Sequence, residues 1–113
     1  PYYNLGMFCQ ENDEQQLAIN AYTDLLKVNP NYREAHFNLG YVHMNYLRLY
    51  RQAAKHFTDA IRVSPLYHEA YYNRGYAYEL MGDIQRAEVD YKNALSIKPD
   101  YTPAARGLER VRK

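Results

Sequence analysis

The chain has 113 residues, with 14 Lys and Arg against 13 Asp and Glu and a formal net charge of +1 at pH 7. This length suits one small domain, and the near-neutral charge provides no long-range field to gather nucleic acid or an anionic membrane. No run of about 18 apolar residues is present, so no segment is predicted to span a bilayer. The single cysteine, Cys9, cannot form a disulfide within the chain.

One pattern of small, aromatic and proline residues occurs three times along the chain. The letters NLG in the opening PYYNLG return 34 residues later in REAHFNLGYVH, which itself returns 35 residues later as HEAYYNRGYAY. Self-similarity at this period is typical of proteins that stack one helical unit on the next. The matched columns are Gly6, Gly40 and Gly75; Ala18, Ala53 and Ala87; Tyr22, Phe57 and Tyr91; Pro30, Pro65 and Pro99; and Tyr32, Tyr67 and Tyr101.

Each copy is predicted to form two helices joined by a turn, because apolar residues recur at helical spacing on both sides of a polar pair. A proline closes each copy, since it lacks an N–H and restricts the residue before it. The copies span about residues 1–32, 33–67 and 68–101. The apolar positions of the third copy are Tyr71, Ala77 and Tyr78, then Ala87, Tyr91, Ala94, Leu95 and Ile97.

Polar residues predict where the turns lie and where helices begin. Asn12–Asp13 and Gly82–Asp83 are breakers between the first and second helices, and Asp83 can cap the helix that follows it. Asn31 and Glu34, three residues apart, resemble a capping box at the start of the second copy.

Small residues predict how the two helices of a copy pack. The glycine of each first helix is expected to face the alanine of the second, which brings the backbones to the short end of the usual range of about 8–10 Å. The aromatic column then fills the space between successive copies.

The last segment, residues 102–113, is predicted to be a capping helix that ends the stack. Thr102 is expected at the N-cap and Pro103 in the first turn. Ala105, Leu108 and Val111 form its apolar stripe. The opposite face is expected to be solvated and carries Arg106, Glu109, Arg110 and Arg112.

The second copy has one residue more than the third between Gly40 and Ala53. The extra residue lies near Asn45–Tyr50, where the letters NYLRLY replace the Gly-Asp turn. Apolar residues in a turn indicate either an extra packing layer or an exposed contact site. We therefore expect Leu47 or Leu49 to be exposed.

Through these columns the chain resembles the tetratricopeptide repeat family over essentially its whole length. The resemblance implies an all-α, right-handed solenoid in which residues 1–113 form a single domain of three helix-turn-helix repeats plus the capping helix. Two features depart from the family pattern: the extra residue of the second copy, and the tryptophan column, which holds Tyr2, His36 and Tyr71. The pentatricopeptide family, which binds RNA one base per repeat, is the alternative. The 34-residue intervals and the near-neutral charge favour the former, so no nucleic acid is expected.

No residue set predicts catalysis, a metal site or a cofactor. His36 and His43 lie two turns apart on one helix, but they align with tyrosines and Cys9 in packing columns. His56 and His68 lack the further ligands that tetrahedral zinc needs. Cys9 is interpreted as a small packing residue. No phosphate loop, nucleophile elbow or carboxylate pair is present, so the protein is predicted not to be an enzyme.

In the tetratricopeptide family the first helix of each pair lines a concave groove, and the resemblance implies the same here. On that side every copy repeats an aromatic residue, an asparagine and an apolar or aromatic residue. An asparagine amide both donates and accepts hydrogen bonds, as a peptide backbone does. The predicted peptide-binding residues are Tyr3, Asn4, Met7, Phe37, Asn38, Tyr41, Tyr72, Asn73 and Tyr76.

The resemblance also bears on the partner. Family members that hold acidic chaperone tails use two lysines, two asparagines and an arginine, and of the matching columns here only Asn38 agrees. With Glu34 and Glu69 at the groove edge, a neutral or basic, partly apolar protein segment is expected instead. The other matching columns hold Tyr3, Met7, Glu69 and Asn73.

Two alternatives stay open. The fragment opens in the middle of a repeat, so it is expected to be an excised piece that stacks on further repeats or self-associates. It could equally be the targeting arm of a larger enzyme. The sequence does not indicate a compartment.

Overall fold

The computed structural model of the protein describes residues 11–113, and this range contains six α-helices and no strand. The predicted all-α solenoid of helix-turn-helix pairs is thereby confirmed. The predictions for residues 1–10, which include Tyr3, Asn4, Met7 and Cys9, lie outside the described residues. The helices are α1 (Glu11–Val28), α2 (Arg33–Asn45), α3 (Tyr50–Val63), α4 (His68–Leu80), α5 (Ile84–Ile97) and α6 (Thr102–Val111).

The helices pack as successive pairs whose two rows differ in spacing. Helix α2 packs on α3 and α4 packs on α5, while α3 against α4 joins the two pairs. In the first row, α2 contacts α4 and α4 contacts α6. In the second row, and within residues 11–113, α3 makes no backbone contact with α1 or α5. Because the first row is closer together, it forms the inner side of the curved stack.

The glycine columns make room for aromatic rings. A Cβ atom added at Gly40 would lie 2.7–2.8 Å from ring carbons of Phe57, and one at Gly75 would lie 3.1 Å from the Tyr91 ring. Phe57 and Tyr91 are fully buried. The expectation that each glycine faces an alanine was therefore wrong. The aromatic ring on the second helix of the same copy lies against the glycine instead, because this ring packs on its own first helix as well as on the next copy.

The turns of the second and third copies differ as the alignment predicted. Asp83 caps α5 by accepting a hydrogen bond from the Arg86 backbone N–H at 3.3 Å, and Gly82 before it has a φ of 82°. Four residues, 46–49, form the turn of the second copy, and Arg48 adopts a φ of 56°. Leu49 is 41% exposed, which confirms that a leucine of this turn faces solvent.

The predicted helix starts were wrong at two places, for one shared reason. Tyr32 holds the N-cap position of α2 with no side-chain cap, and Tyr101 rather than Thr102 holds that of α6. The Asn31 and Glu34 pair therefore forms no capping box. Before each first helix a backbone turn recurs, with the N–H of the column tyrosine donating to the carbonyl three residues earlier. This turn sets the entry angle without a polar cap, so the position is occupied by a packing tyrosine.

Helix α1 runs through the pair that was expected to break it. Asn12–Asp13 lies inside Glu11–Val28. Acidic residues are accepted in a first turn because the helix dipole favours them there, and no glycine or proline interrupts this helix. None of the described helices is both long and apolar enough to cross a membrane.

The capping helix packs on a stripe rotated by one residue from the prediction. Ala104 and Gly107 are its buried residues, whereas Ala105 is exposed. Leu108 and Val111 pack against the third-copy core, as expected. A Cβ at Gly107 would lie 2.5–2.8 Å from the Tyr91 ring. The need to accommodate that ring decides which face of α6 turns inward.

Candidate functional site on the inner face of the first helices

Six of the nine predicted groove residues lie on described helices. They follow the same i, i+1, i+4 spacing on α2 and on α4, which places each set on one side of its helix. Tyr41 is exposed and the other five are half-buried. The residues are Phe37, Asn38 and Tyr41 on α2, and Tyr72, Asn73 and Tyr76 on α4.

Phe37 is anchored by rings on both sides. Its centroid lies 5.4 Å from that of Phe57 in an edge contact and 5.2 Å from that of Tyr67 in a stacked contact. The Arg33 guanidinium lies 4.5 Å from the centroid of the Tyr67 ring. Phe37 therefore belongs to a rigid aromatic floor between the second and third copies, and its exposed part is held in one orientation.

The tyrosines of α4 form a second aromatic group. The Tyr72 and Tyr76 rings stack in parallel with centroids 6.3 Å apart. Tyr72 also makes a T-shaped contact with Tyr101, and the centroids of these two rings lie 5.7 Å apart. Burial raises the pKa of the Tyr72 phenol. The hydroxyl therefore stays protonated at neutral pH, where it can both donate and accept a hydrogen bond.

Asn38 and Asn73 occupy the same column on neighbouring helices. Both are half-buried. Within residues 11–113, no hydrogen bond engages either side-chain amide, although neighbouring polar side chains such as Asn45 and Arg74 are bonded. These two amides therefore have donor and acceptor capacity available to a ligand.

Sequence reasoning missed a polar cluster at the end of this face. The Glu79 carboxylate accepts hydrogen bonds from Arg110 Nε at 2.9 Å and Nη2 at 3.0 Å, and from the Tyr91 hydroxyl at 2.6 Å. The Arg110 guanidinium lies 5.8 Å from the Tyr76 ring centroid. The bonds from Arg110 lower the pKa of Glu79, so this pair is ionised at neutral pH.

Arg110 was expected on a solvated face of the capping helix, and its side chain is 44% exposed, but it is also bonded to Glu79 on the inner face. Arg110 lies 34 residues after Tyr76, so an alignment extended into the cap would have placed it in the inner column. The capping helix thus contributes a charged group to the inner face, and that charge is neutralised by Glu79.

The histidines have packing and hydrogen-bonding roles. His36 donates from Nε2 to the Pro30 carbonyl at 2.8 Å, and His43 donates from Nδ1 to the Leu39 carbonyl at 2.7 Å. The His43 and His56 rings lie 4.7 Å apart, a contact between helices that sequence spacing could not show. In the described part of the chain, no three His, Cys, Asp or Glu side chains are grouped to hold a metal.

Comparison of the geometry with solved structures found close matches. The TPR domain of Arabidopsis OM64 is 25% identical with a TM-score of 0.83, over 96% of this chain and 87% of that one. The second TPR domain of human RPAP3, solved with the HSP70 peptide SGPTIEEVD, is 22% identical with a TM-score of 0.83, over 99% and 92%. An O-GlcNAc transferase of Thermobaculum terrenum is 26% identical with a TM-score of 0.78, over 87% of this chain but 19% of that one.

The sequence comparisons agree with the fold. Two family models, both described as tetratricopeptide repeat, match residues 14–45 and 68–101. The search of curated proteins found no match. The chain belongs to the tetratricopeptide repeat family.

Proposed function

We propose that this protein is a non-catalytic interaction module that binds an extended segment of a partner protein along the inner face of α2 and α4. The observation that carries the proposal is a pair repeated on both helices: a half-buried aromatic residue and an asparagine whose side-chain amide makes no hydrogen bond within residues 11–113. The binding of an HSP70 peptide by the second TPR domain of RPAP3 supports a peptide ligand.

The spacing of the two asparagines suits an extended backbone. Neighbouring helices are about 10 Å apart, which corresponds to about three residues of extended chain at roughly 3.3 Å each. Asn38 and Asn73 would each bond a peptide group of the ligand, while side chains between them contact Phe37, Tyr72 and Tyr76. A desolvated asparagine amide that lacks a hydrogen-bond partner costs free energy, so each asparagine favours a ligand that presents a peptide group to it.

The charges of this face favour a neutral or basic, partly apolar ligand. Glu34 and Glu69 lie in the first turns of α2 and α4. Arg33, which lies over the Tyr67 ring, is paired with Glu34, and Arg110, which lies beside Tyr76, is bonded to Glu79. An acidic peptide end would therefore meet carboxylates without a free guanidinium to receive it.

The test is a peptide array on the wild type and on single and double alanine variants of the asparagines. Asn38→Ala should weaken binding roughly five- to a hundredfold, because the lost amide leaves a desolvated backbone group unpaired. The matched control is Asn93→Ala, which removes an amide from α5, outside the inner face. Thermal melts should show little change for all four variants.

Ligand charge is tested on the same array. Neutral or basic segments with aromatic or aliphatic side chains should bind better than the acidic peptide SGPTIEEVD. If Asn38→Ala with Asn73→Ala bound every peptide as well as the wild type, the partner would have to dock elsewhere. If SGPTIEEVD bound best, the proposed ligand charge would be wrong.

A further inference from the structure

A cleft opens on the outer side of the stack, between α3 and α5. It has a volume of about 370 Å³ and exists because these two helices make no backbone contact. Thr58, one of its lining residues, accepts a hydrogen bond at Oγ1 from Arg74 Nη1 at 3.0 Å, and Arg74 is bonded on its other side to Asp90. The charged, aromatic and large apolar residues of its lining are Arg51, Lys55, Tyr78, Met81, Asp83 and Arg86.

This outer cleft holds a local excess of positive charge. Arg51 and Lys55 lie one turn apart on α3, and Arg86 enters from α5. Among the described residues, Asp83 is the only acidic one in the lining; its carboxylate already accepts the Arg86 backbone N–H and lies 3.5 Å from the Arg86 guanidinium. The outer cleft therefore presents cationic donors without a competing free carboxylate.

Most cations of the molecule are paired, whereas those at the start of α3 are not. Of the 14 Lys and Arg residues, nine form an ion pair with a described carboxylate. Of the other five, Arg106 and Lys113 lie at the carboxyl end, and Arg48, Arg51 and Lys55 cluster at the start of α3; no described carboxylate lies within ion-pair distance of any of them. The paired cations are Lys27, Arg33, Arg62, Arg74, Arg86, Lys92, Lys98, Arg110 and Arg112.

Large apolar side chains are exposed at the turns of the second and third copies, which precede α3 and α5. Five of them are each between 38% and 54% exposed, and we call this set the apolar rim. Met81 belongs both to this rim and to the cleft lining, so the cleft is continuous with at least one exposed apolar side chain. Exposed apolar side chains beside polar residues mark interaction sites. The rim residues are Tyr46, Leu49, Leu80, Met81 and Ile84.

We infer that the outer cleft and its rim bind an acidic, partly apolar segment of a partner protein. Carboxylates of that segment would accept hydrogen bonds from Arg51 and Lys55, and its apolar side chains would cover Met81 and Leu49. An anionic membrane is a poorer match. The cations line a concave cleft rather than a flat face, and a net charge of +1 provides little attraction to a surface. This surface is separate from the inner face and does not depend on the proposed function.

The experiment selects displayed 16-residue random peptides on the intact protein and measures the enriched peptides by fluorescence anisotropy. Peptides that use the outer cleft should carry net negative charge and apolar residues. Arg51→Glu with Lys55→Glu should weaken the binding of these peptides at least about tenfold, and added salt should weaken their binding as well. Both positions are exposed on α3, so circular dichroism should be unchanged.

Two controls separate this site from general charge and from the inner face. Arg106→Glu with Lys113→Glu makes the same change of net charge at two exposed positions on and after α6, and it should alter binding less than about twofold. Asn38→Ala with Asn73→Ala should have no effect on these peptides.

Three results would overturn the inference. The first is that all enriched peptides lack acidic residues, and the second is that acidic peptides bind the two charge-reversed proteins equally. Phosphatidylserine vesicles that bound the wild type but not Arg51→Glu with Lys55→Glu, in the absence of any acidic peptide ligand, would assign the surface to a membrane instead.

Discussion

The second and third copies build the same helix pair around different interior chemistry. In the second copy, Gly40 packs on Phe57, and the interior beside it holds Leu39. In the third copy the aligned positions are Gly75, Tyr91 and Arg74. Arg74 donates from Nε at 2.8 Å and from Nη2 at 2.7 Å to the Asp90 carboxylate, which is 2% exposed.

The difference shows which positions carry the architecture. Glycine against an aromatic ring recurs in both copies, because it sets how closely the two helices approach. The polar positions between them vary freely, provided that each buried group has a partner. Asp90 has Arg74, whereas the aligned His56 lies against His43. Burial raises the pKa of Asp90, and the bond to that carboxylate keeps Arg74 charged.

The largest effect is expected from filling the glycine positions. Gly40→Leu and Gly75→Leu should each lower the free energy of unfolding by more than about 3 kcal/mol, the upper end for ordinary overpacking of a core, since a buried ring would have to move. Urea denaturation measures the change. An unchanged midpoint for either variant would contradict the assigned helix pairing.

The alanine variants sharpen the comparison between the two copies. Alanine is favoured over glycine in a helix by about 1 kcal/mol. At Gly75 the new Cβ would lie 3.1 Å from the Tyr91 ring, so its steric cost offsets part of that gain. At Gly40 the new Cβ would lie only 2.7 Å from the Phe57 ring, so its steric cost is larger. Gly40→Ala should therefore destabilise more than Gly75→Ala. Equal changes in the free energy of unfolding for the two variants would mean that the Phe57 ring moves aside without a loss of stability.

The next effect comes from breaking the ion pair of the third copy. Arg74→Leu leaves Asp90 buried and unpaired, which should cost about 3 kcal/mol. Adding Asp90→His reproduces the Leu39 and His56 combination of the second copy and should recover much of that loss. Urea denaturation of the single and double variants measures both changes.

An exposed ion pair provides the control for that experiment. Arg62 lies 3.9 Å from Asp59, with an exposed guanidinium, so Arg62→Leu should cost less than about 1 kcal/mol. If Arg74→Leu were no more costly than Arg62→Leu, or if the double variant recovered nothing, the copies would not be interchangeable at these positions.

A smaller effect is expected from exchanging the two rings. Tyr91→Phe removes a hydrogen bond to the ionised Glu79 and should cost about 1.5 kcal/mol. In the second copy the position aligned with Glu79 is Met44, which is 3% exposed and packs with Phe57. Phe57→Tyr would bury a hydroxyl beside a thioether, a weak acceptor, so it should destabilise as well. If neither substitution changed the free energy of unfolding, the hydroxyl would not contribute to the packing of Tyr91.

The last effect, which appears only as the pH is lowered, is a dependence of stability on pH that belongs to the second copy. Burial, together with the neighbouring charge of His43, lowers the pKa of His56 from 6.5 to about 4. Between these values the unfolded chain binds the additional proton, so stability is lost as pH falls from about 6.5 toward 4. His56→Gln should flatten the decline between pH 6.5 and 5, before most carboxylates titrate. His68→Gln is the control, and equal slopes for wild type and His56→Gln would contradict the assignment.

The inner face shows how far sequence reasoning reaches toward a site. The shared columns placed Asn38 and Asn73 on neighbouring first helices, because a repeat carries its positions with it. They did not show that Phe37 is clamped between Phe57 and Tyr67. Nor did they place Arg110 beside Tyr76, because the aligned columns end at Tyr101, before the capping helix begins.

The sequence by itself determined the all-α architecture of helix pairs and the glycine and aromatic columns of the second and third copies. These follow from local rules: proline ends a helix, apolar residues repeat at helical spacing, and small residues permit close approach. The tertiary structure alone decided the partners of the polar groups. The bonds from Arg74 to Asp90 and from Arg110 to Glu79 join residues 16 and 31 positions apart. Such contacts depend on how each helix is rotated about its axis, and that rotation is set by the rings packed between the helices.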